Sequence, residues 1–187
     1  MMEIHDSNFI KLRINDKVIF HSAGVSYEGV LKETDKKYYI NPVVDIADPI
    51  VITDKTIMDL SVKKLFDCRN YSPRDLYKMK IYAVDFDETL YFSKSYEFPY
   101  VSIEESRWNM RLLNRVRELQ NDSRNKFILW TCRTKTELDI AVTALSRFNV
   151  YFDAHNDNLP EVKFAFKDNP RKIYANAYID DRNTDVL

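Results

Sequence analysis

Residues 81–90 read IYAVDFDETL, an apolar run followed at once by acidic and hydroxyl side chains. A continuous apolar run of this length is typical of a strand that is buried on both faces of a parallel sheet. In open parallel sheets, ligands bind beyond the carboxyl ends of the strands. The polar residues of this stretch, which begin at Asp85, are therefore expected to lie where a ligand would bind.

The rest of the chain after residue 80 alternates between apolar runs and helical spacing. Strands are predicted at residues 127–130, 150–152 and 175–179, and helices at residues 103–120 and 138–148. Alternating strands and helices predict a parallel sheet with helices on both of its faces. We therefore predict an α/β domain over residues 80–187.

Residues 1–66 have a different pattern, because short alternating apolar and polar runs are separated by polar turns. Both glycines of the chain, Gly24 and Gly29, lie in this region, and residues 33–37 are typical of a hairpin turn. We predict a small β-rich, barrel-like module over residues 1–66, and a linker over residues 67–79.

Composition and charge exclude several classes of protein. The chain has 28 basic and 29 acidic residues, so it lacks the basic excess of a dedicated nucleic-acid-binding protein. Two glycines are too few for a Walker A loop or a dinucleotide fingerprint. Two cysteines form no disulfide framework, and no apolar stretch reaches the about 18 residues of a membrane span. We expect a cytoplasmic protein with no membrane partner.

The polar residues at or near the predicted strand ends have the chemistry of phosphoryl transfer. They are Asp85, Asp87, Thr131, Arg133, Lys172, Asp180 and Asp181. Clustered carboxylates repel one another, and Mg²⁺, which prefers oxygen ligands, relieves that repulsion. Asp85 could then attack phosphorus to form an aspartyl-phosphate, and Asp87 could transfer the proton. Thr131 and Lys172 could hold the phosphoryl oxygens.

The order of these motifs resembles that of the haloacid-dehalogenase (HAD) superfamily. The resemblance covers residues 80–183 and rests on DFDETL at residues 85–90, LWT at 129–131, a lysine, and IDD at 179–181. Within the superfamily, the chain is similar to short HAD hydrolases of bacteria and phages that lack a cap domain. The resemblance implies a Rossmann-like sheet and Mg²⁺ bound by the Asp85 carboxylate, the Asp87 backbone carbonyl, and Asp180 or Asp181.

Some assignments stay open at the level of sequence. Many members of the superfamily have glycine where this chain has Glu88, although glutamate also occurs there, notably in phosphatases that act on protein C-terminal tails. Arg133 and His155 are expected to contact the substrate, with an ion-paired or solvated arginine and a structural histidine as the alternatives. The candidates for the phosphate-binding lysine are Lys163, Lys167 and Lys172.

These observations together predict a Mg²⁺-dependent phosphomonoester hydrolase that forms an aspartyl-phosphate. Its substrate is expected to be a nucleotide, a sugar phosphate or a phosphorylated nucleic-acid end. The residues between the motifs are too few for a cap, so an open site is expected, with walls from the aromatic loop at residues 91–102 or from the N-terminal module. The alternative is a catalytically degenerate HAD scaffold whose N-terminal module binds a partner.

Overall fold

A computed structural model of the chain has mixed α/β content and two compact units, Met1–Asn70 and Tyr71–Leu187. The division between them falls inside the predicted linker. The structure describes residues 4–8, 10–13, 16–22, 25–34, 37–42, 49–51, 53, 57–58, 61–66, 68, 71–93, 103–104 and 107–183. Among these residues, no helix combines the length and the apolar character needed to cross a membrane.

The first unit is built from antiparallel strands. They are β1 (Ile4–His5), β2 (Lys11–Leu12), β3 (Lys17–Ser22), β4 (Val25–Thr34), β5 (Lys37–Pro42), β6 (Ile50–Val51) and β7 (Lys63–Leu65). The main sheet has the order β6-β5-β4-β3-β7, and β1 pairs with β2. The hairpin predicted at residues 33–37 is the β4–β5 connection, where Thr34 lies opposite Lys37. Because β6 and β7 lie at the two ends of the order, closure into a barrel stays a prediction.

Alternation of side chains along the strands gives this unit its core, because every second residue of a strand points to the same face. On β3, Val18 and Phe20 are buried, and on β4 and β5 the facing pair Leu31 and Ile40 is fully buried. The described members of the core are Leu12, Val18, Phe20, Leu31, Tyr38, Ile40, Ile57 and Val62.

The charged side chain of Asp6 is also buried in the first unit, with 2% of its surface exposed. Its Oδ1 accepts hydrogen bonds from the backbone N–H groups of Asn8 at 2.8 Å and Ile10 at 3.0 Å. Its Oδ2 accepts from the backbone N–H of Lys64 at 2.9 Å. The carboxylate therefore ties the turn between β1 and β2 to strand β7.

The second unit contains the predicted parallel sheet. In chain order its elements are a 3-10 helix (Pro73–Lys78), β8 (Lys80–Val84), α1 (Met110–Leu119), β9 (Asn125–Leu129), α2 (Lys135–Ser146), β10 (Ala154–His155), α3 (Pro160–Phe166) and β11 (Ala177–Ile179). The sheet order is β10-β9-β8-β11, and all three pairings are parallel. Numbered by their order in the chain, the strands are arranged 3-2-1-4.

Both faces of this sheet are covered. On one face, Ile81, Ala83 and Ile128 pack with Leu76 of the 3-10 helix and Val162 of α3. The alternate residues of the two central strands point to the other face and are also buried; they are Tyr82, Val84, Phe127 and Leu129. The rings of Tyr82 and Phe127 stack there at 5.0 Å. Burial of alternate residues on both sides is what a continuous apolar strand requires.

Three of the differences between the observed and the predicted element boundaries affect how the fold is built. The helix predicted over residues 103–120 begins at Met110, where Asn109 caps it by accepting from the Leu112 N–H at 3.2 Å. The apolar run at residues 150–152 is buried, but strand pairing with β9 covers Ala154–His155 instead. Part of the predicted linker is the 3-10 helix, whose Leu76 belongs to the core.

Candidate active site

The carboxyl ends of the four parallel strands lie side by side. Val84, the last residue of β8, is in register with Leu129 of β9 and with Ile179 of β11, and Leu129 is in register with His155 of β10. The Asp85 N–H donates to the Ile179 carbonyl at 2.9 Å and so continues this alignment past the strand ends. The residues that follow each strand therefore meet at one edge of the sheet.

Asp85 is the half-buried carboxylate at the centre of this edge. Burial, together with the charges of Asp180 and Asp87, raises the pKa of Asp85 to about 6. The Phe86 N–H and the Thr89 hydroxyl, which donates to Asp85 Oδ2 at 3.1 Å, oppose that rise. The carboxylate thus carries a charge that its surroundings only partly compensate.

Asp87 is held in an ion pair that the sequence offered only as an alternative. Arg133 donates from Nε to Asp87 Oδ2 at 2.9 Å and from its Nη2 to Oδ1 at 2.8 Å. The Arg133 side chain is 1% exposed, and its guanidinium lies over the Phe86 ring, 4.7 Å from the centroid. Two parallel N–H···O bonds fix the plane of a carboxylate as well as its position.

The loop after β9 is held by a side chain that the sequence analysis did not single out. Asn156 accepts from the Thr131 N–H at 2.8 Å and donates to the Arg133 carbonyl at 2.7 Å. Asn156 has a φ of 49°, in the left-handed region that asparagine tolerates better than most residues, and its N–H donates to the Leu129 carbonyl at 2.8 Å. The available signal was an asparagine beside His155, four residues after the apolar run at residues 150–152.

Asp180 and Asp181 follow β11 in a tight turn. The Asp180 Oδ1 accepts from the Arg182 N–H at 2.9 Å, and the Asp180 carbonyl accepts from the Asn183 N–H at 3.1 Å. Asp180 is half-buried and Asp181 is exposed. A hydrogen bond with Asp180, followed by burial and the charge of Asp180, raises the pKa of Asp181. Of the two, Asp180 is the one whose charge acts on Asp85.

The three candidate lysines occupy different surroundings. Lys163, on α3, contacts Asp157 Oδ2 through its Nζ, and Asn169 donates to the other oxygen of Asp157 at 2.9 Å. Lys167 is exposed at the C-cap of α3, with a φ of 56°. Lys163 is therefore engaged with a carboxylate two residues beyond β10, whereas Lys167 follows the end of the helix.

Lys172 lies on an exposed segment that is anchored near the carboxyl edge. On either side of it, Asn158 donates to the Pro170 carbonyl at 2.8 Å and accepts from the Tyr174 N–H at 2.7 Å. Asn158 is only three residues past the end of β10. Within the part of the chain that the structure describes, Lys172 has no ion pair, so its ammonium is available to an anion.

His155 ends β10 and is half-buried. Its Nε2 is buried and has no hydrogen-bond partner among the described residues. Burial lowers the pKa of His155 to about 4. The imidazole is therefore neutral near pH 7, and any contact with a phosphate would be a hydrogen bond rather than an ion pair.

Glu88 occupies the position where many HAD proteins have glycine. Its φ is 59°, in the left-handed region that glycine adopts without a steric cost. The turn is closed by the Glu88 N–H, which donates to the Tyr91 carbonyl at 2.7 Å, and the Ser93 hydroxyl donates to the Glu88 carboxylate. The turn thus has a left-handed residue that is not glycine, and the side chain of that residue accepts its own hydrogen bond.

The aromatic loop predicted to line the site is described only in part. Tyr91 is buried and packs on Phe86 and Trp108, with ring centroids at 5.7 and 5.2 Å. Phe92 is exposed, as is Trp130 at the end of β9. The other predicted aromatics, Tyr96, Phe98 and Tyr100, lie outside the described residues.

Comparison with known proteins gives little information about this site. No protein-family model matches the chain. No curated protein matches it either. One solved structure, described as that of a conserved protein coded by a locus from Bacteroides thetaiotaomicron, is 29% identical. The match covers 58% of this chain and 81% of that one, with a TM-score of 0.46.

Proposed function

We propose that the second unit is a HAD-type phosphatase that hydrolyses phosphate monoesters through an aspartyl-phosphate on Asp85. The observation that carries the proposal is the meeting of Asp85, Asp87, Thr131 and Asp180 at one edge of a parallel sheet. A strand order of 3-2-1-4 supports a Rossmann-like sheet, because such sheets bind ligands where the strand order reverses. That reversal lies between β8 and β11, the strands that precede Asp85 and Asp180.

Each residue has a role that its surroundings support. Asp85 attacks phosphorus, and the bond from phosphorus to the leaving oxygen breaks as Asp87 donates a proton to that oxygen. A water then attacks the aspartyl-phosphate and gives its proton back to Asp87, which releases inorganic phosphate and regenerates Asp85. Thr131, which is half-buried, and the exposed Lys172 would hold the phosphoryl oxygens.

The residues present fit a bound Mg²⁺. The repulsion that Asp180 and Asp87 exert on the half-buried Asp85 is what a divalent cation would relieve. Among the described residues, no three His, Cys, Asp or Glu side chains form a metal-binding group. The set implied by the family resemblance needs only two carboxylates and the Asp87 carbonyl, and the half-buried Asp180 suits it better than the exposed Asp181. When bound, Mg²⁺ neutralises charge on the carboxylates and the phosphoryl group.

The alternative, a catalytically degenerate scaffold, is favoured by one specific observation. The Asp87 carboxylate is engaged in a bidentate ion pair with a buried arginine, which is how carboxylates are used for structure as well as for catalysis. A scaffold of this kind would retain the pair and release no phosphate. The N-terminal unit would then carry the binding function.

The decisive experiment is a phosphate-release screen of the purified chain with representative esters of each expected substrate class. Nucleotides, sugar phosphates and oligonucleotides phosphorylated at either end are each tested with Mg²⁺ and with chelator. The proposal expects Mg²⁺-dependent release from at least one class, and none from Asp85→Asn. Release that persists in chelator would contradict the metal-dependent mechanism, and release from no class would favour the scaffold.

A further inference from the structure

Among the residues that the structure describes, Arg133 is the largest side chain that is almost completely buried, although it carries a permanent charge. A buried charge is costly unless it is paired and hydrogen-bonded. Two of its nitrogens, Nε and Nη2, donate to the two oxygens of Asp87. An arginine that binds a substrate in an open site has an exposed guanidinium, whereas the Arg133 guanidinium is buried and paired with a carboxylate.

The backbone and the ring beneath Arg133 are fixed independently of Asp87. The Arg133 N–H donates to the Thr131 hydroxyl at 3.2 Å, and Asn156 binds the Arg133 carbonyl. The Phe86 ring supports the guanidinium from one side. Phe86 is fully buried and lies between Asp85 and Asp87 in the sequence. Its contact with the guanidinium therefore holds Arg133 against the segment that carries both carboxylates.

The pairing leaves Asp87 able to transfer a proton. An ionised carboxylate has about four lone-pair positions, and the two hydrogen bonds from Arg133 use one on each oxygen. Arg133 is the donor to these oxygens among the described residues, so the remaining positions can carry the proton that goes to the leaving oxygen and later returns from water. What the arginine removes is the rotation of the carboxylate, and proton transfer depends on that orientation.

We infer that Arg133 is a positioning residue that holds the Asp87 carboxylate in the orientation needed for proton transfer, and that it does not bind the substrate. The inference rests on the proposed phosphatase activity. It assigns a different role from the substrate contact that the sequence predicted for Arg133. It also explains the two side-chain hydrogen bonds of Asn156 to the loop after β9, which we call the Asn156 clamp. The clamp holds the backbone of Arg133, and Arg133 in turn holds the Asp87 carboxylate.

Leaving-group dependence tests the inference, because an ester with an acidic leaving group needs little protonation by Asp87. Arg133→Gln and Asp87→Asn are compared on 4-nitrophenyl phosphate and on an alkyl phosphate such as glycerol phosphate. For Arg133→Gln, kcat on the alkyl ester is expected to fall about 10- to 100-fold, with a much smaller loss on the nitrophenyl ester. KM is expected to stay within about threefold for both esters, as it does for loss of an interaction made only in the transition state.

A double-mutant cycle supplies the second readout. If Arg133 acts through Asp87, the double variant Asp87→Asn/Arg133→Gln is no less active than Asp87→Asn alone. Arg133→Lys keeps the charge but loses the two-pronged geometry, so it is expected to recover only part of the alkyl-ester activity. Thermal unfolding of each variant shows whether the fold persists. If Arg133→Gln does not fold, the Lys variant and the double variant carry the test.

The outcomes separate the inference from the proposed function. A rise in KM that is equal for both esters, or losses that add in the double variant, would identify Arg133 as a substrate contact and overturn the inference while the phosphatase stands. If the wild-type chain releases no phosphate from any ester, the proposed function fails and the inference fails with it.

Discussion

Each unit of this protein contains a carboxylate that is at least partly buried, Asp6 in the first unit and Asp85 in the second. The two differ in how far hydrogen bonds compensate the charge. Asp6 accepts three backbone hydrogen bonds within 3.0 Å, so the first unit replaces the water that the charge has lost. Asp85 has the Phe86 N–H and the Thr89 hydroxyl, and it faces the charges of Asp180 and Asp87. A compensated carboxylate stabilises a fold, whereas an uncompensated one is available for a cation and a substrate.

The largest expected effect is on catalysis. Asp85→Asn replaces the attacking oxygen with an amide that cannot form an aspartyl-phosphate, so turnover is expected to be abolished while the fold persists. Asp87→Asn is expected to lose about 10²- to 10⁴-fold in kcat, the usual contribution of general acid–base catalysis. The measurement is phosphate release by each purified variant with Mg²⁺.

Circular dichroism of the same samples is the control, because an unfolded variant is also inactive. Substantial turnover by a folded Asp85→Asn protein would remove Asp85 as the nucleophile. The contrast between a structural Asp6 and a catalytic Asp85 would then be lost.

Removal of the Asp6 carboxylate is expected to lower the stability of the first unit and to leave catalysis unchanged. Asp6→Ala leaves the N–H groups of Asn8, Ile10 and Lys64 without their acceptor, which is expected to cost about 3 kcal/mol of unfolding free energy for the first unit. Urea denaturation measures this loss. Hydrolysis of a small phosphate ester is expected to be unchanged below the transition.

Asp6→Asn is the matched control, since its amide oxygen keeps one acceptor and is expected to lose less stability. A fragment of residues 71–187, which begins at the observed division and keeps the 3-10 helix, tests whether the second unit hydrolyses the small ester alone. Equal stability of Asp6→Ala and the wild type would show that the three hydrogen bonds do not compensate the charge.

The uncompensated carboxylate is expected to make stability depend on pH when metal is absent. The pKa of Asp85 rises from 3.8 to about 6 on folding, so between these values the folded state binds more protons than the unfolded one. Stability contributed by this group therefore falls as the pH increases from about 4 to 6, and the full penalty is present above that window. After allowance for partial exposure, it amounts to about 1–2 kcal/mol.

The difference between the wild type and Asp85→Asn isolates this effect from other carboxylates. In chelator at pH 7.5, the Asn variant is expected to be more stable by that amount, and near pH 4 the two are expected to be equal. Adding Mg²⁺ at pH 7.5 is expected to stabilise the wild type and not the variant. Thermal unfolding at the two pH values measures both, and a variant less stable than the wild type in chelator would contradict the interpretation.

The smallest expected effect concerns the turn that joins these carboxylates to the rest of the motif. At a φ of 59°, Glu88→Ala keeps the steric cost of a side chain and loses the bond from Ser93, whereas Glu88→Gly removes that cost. The Gly variant is expected to exceed the Ala variant by about 1 kcal/mol in unfolding free energy. Urea denaturation decides this, and an Ala variant of equal or greater stability would show that the turn relaxes.

The sheet and its polar edge could be predicted from the sequence because they rest on local patterns. Four apolar runs followed by polar residues place Asp85, Thr131 and Asp180 on one edge in any parallel sheet. The clamp by Asn156 and the pairing of Asp87 with Arg133 could not be predicted. They join residues 25 and 46 positions apart, and a single sequence does not show which partners such residues choose.

Boundaries were the other weak point, for physical reasons that the residues show. The run at residues 150–152 is apolar and buried, but it is not the segment that pairs with β9. That segment is Ala154–His155, so hydrophobicity alone placed the strand too early in the chain. The first helix begins only at Met110, because the Asn109 side chain provides the cap there. Apolar residues in a sequence indicate which segments are buried, whereas the hydrogen-bond partners of a strand depend on the tertiary structure.

The strands that end each sheet have a consequence for how the chain behaves at high concentration. In the described parts of the chain, β6, β7, β10 and β11 are two or three residues long, whereas the strands between them have five to ten. A short outer strand offers few free N–H and C=O groups to a passing molecule, which limits strand addition. The four-stranded and five-stranded sheets are therefore expected to be less open to edge-to-edge association through these outer strands.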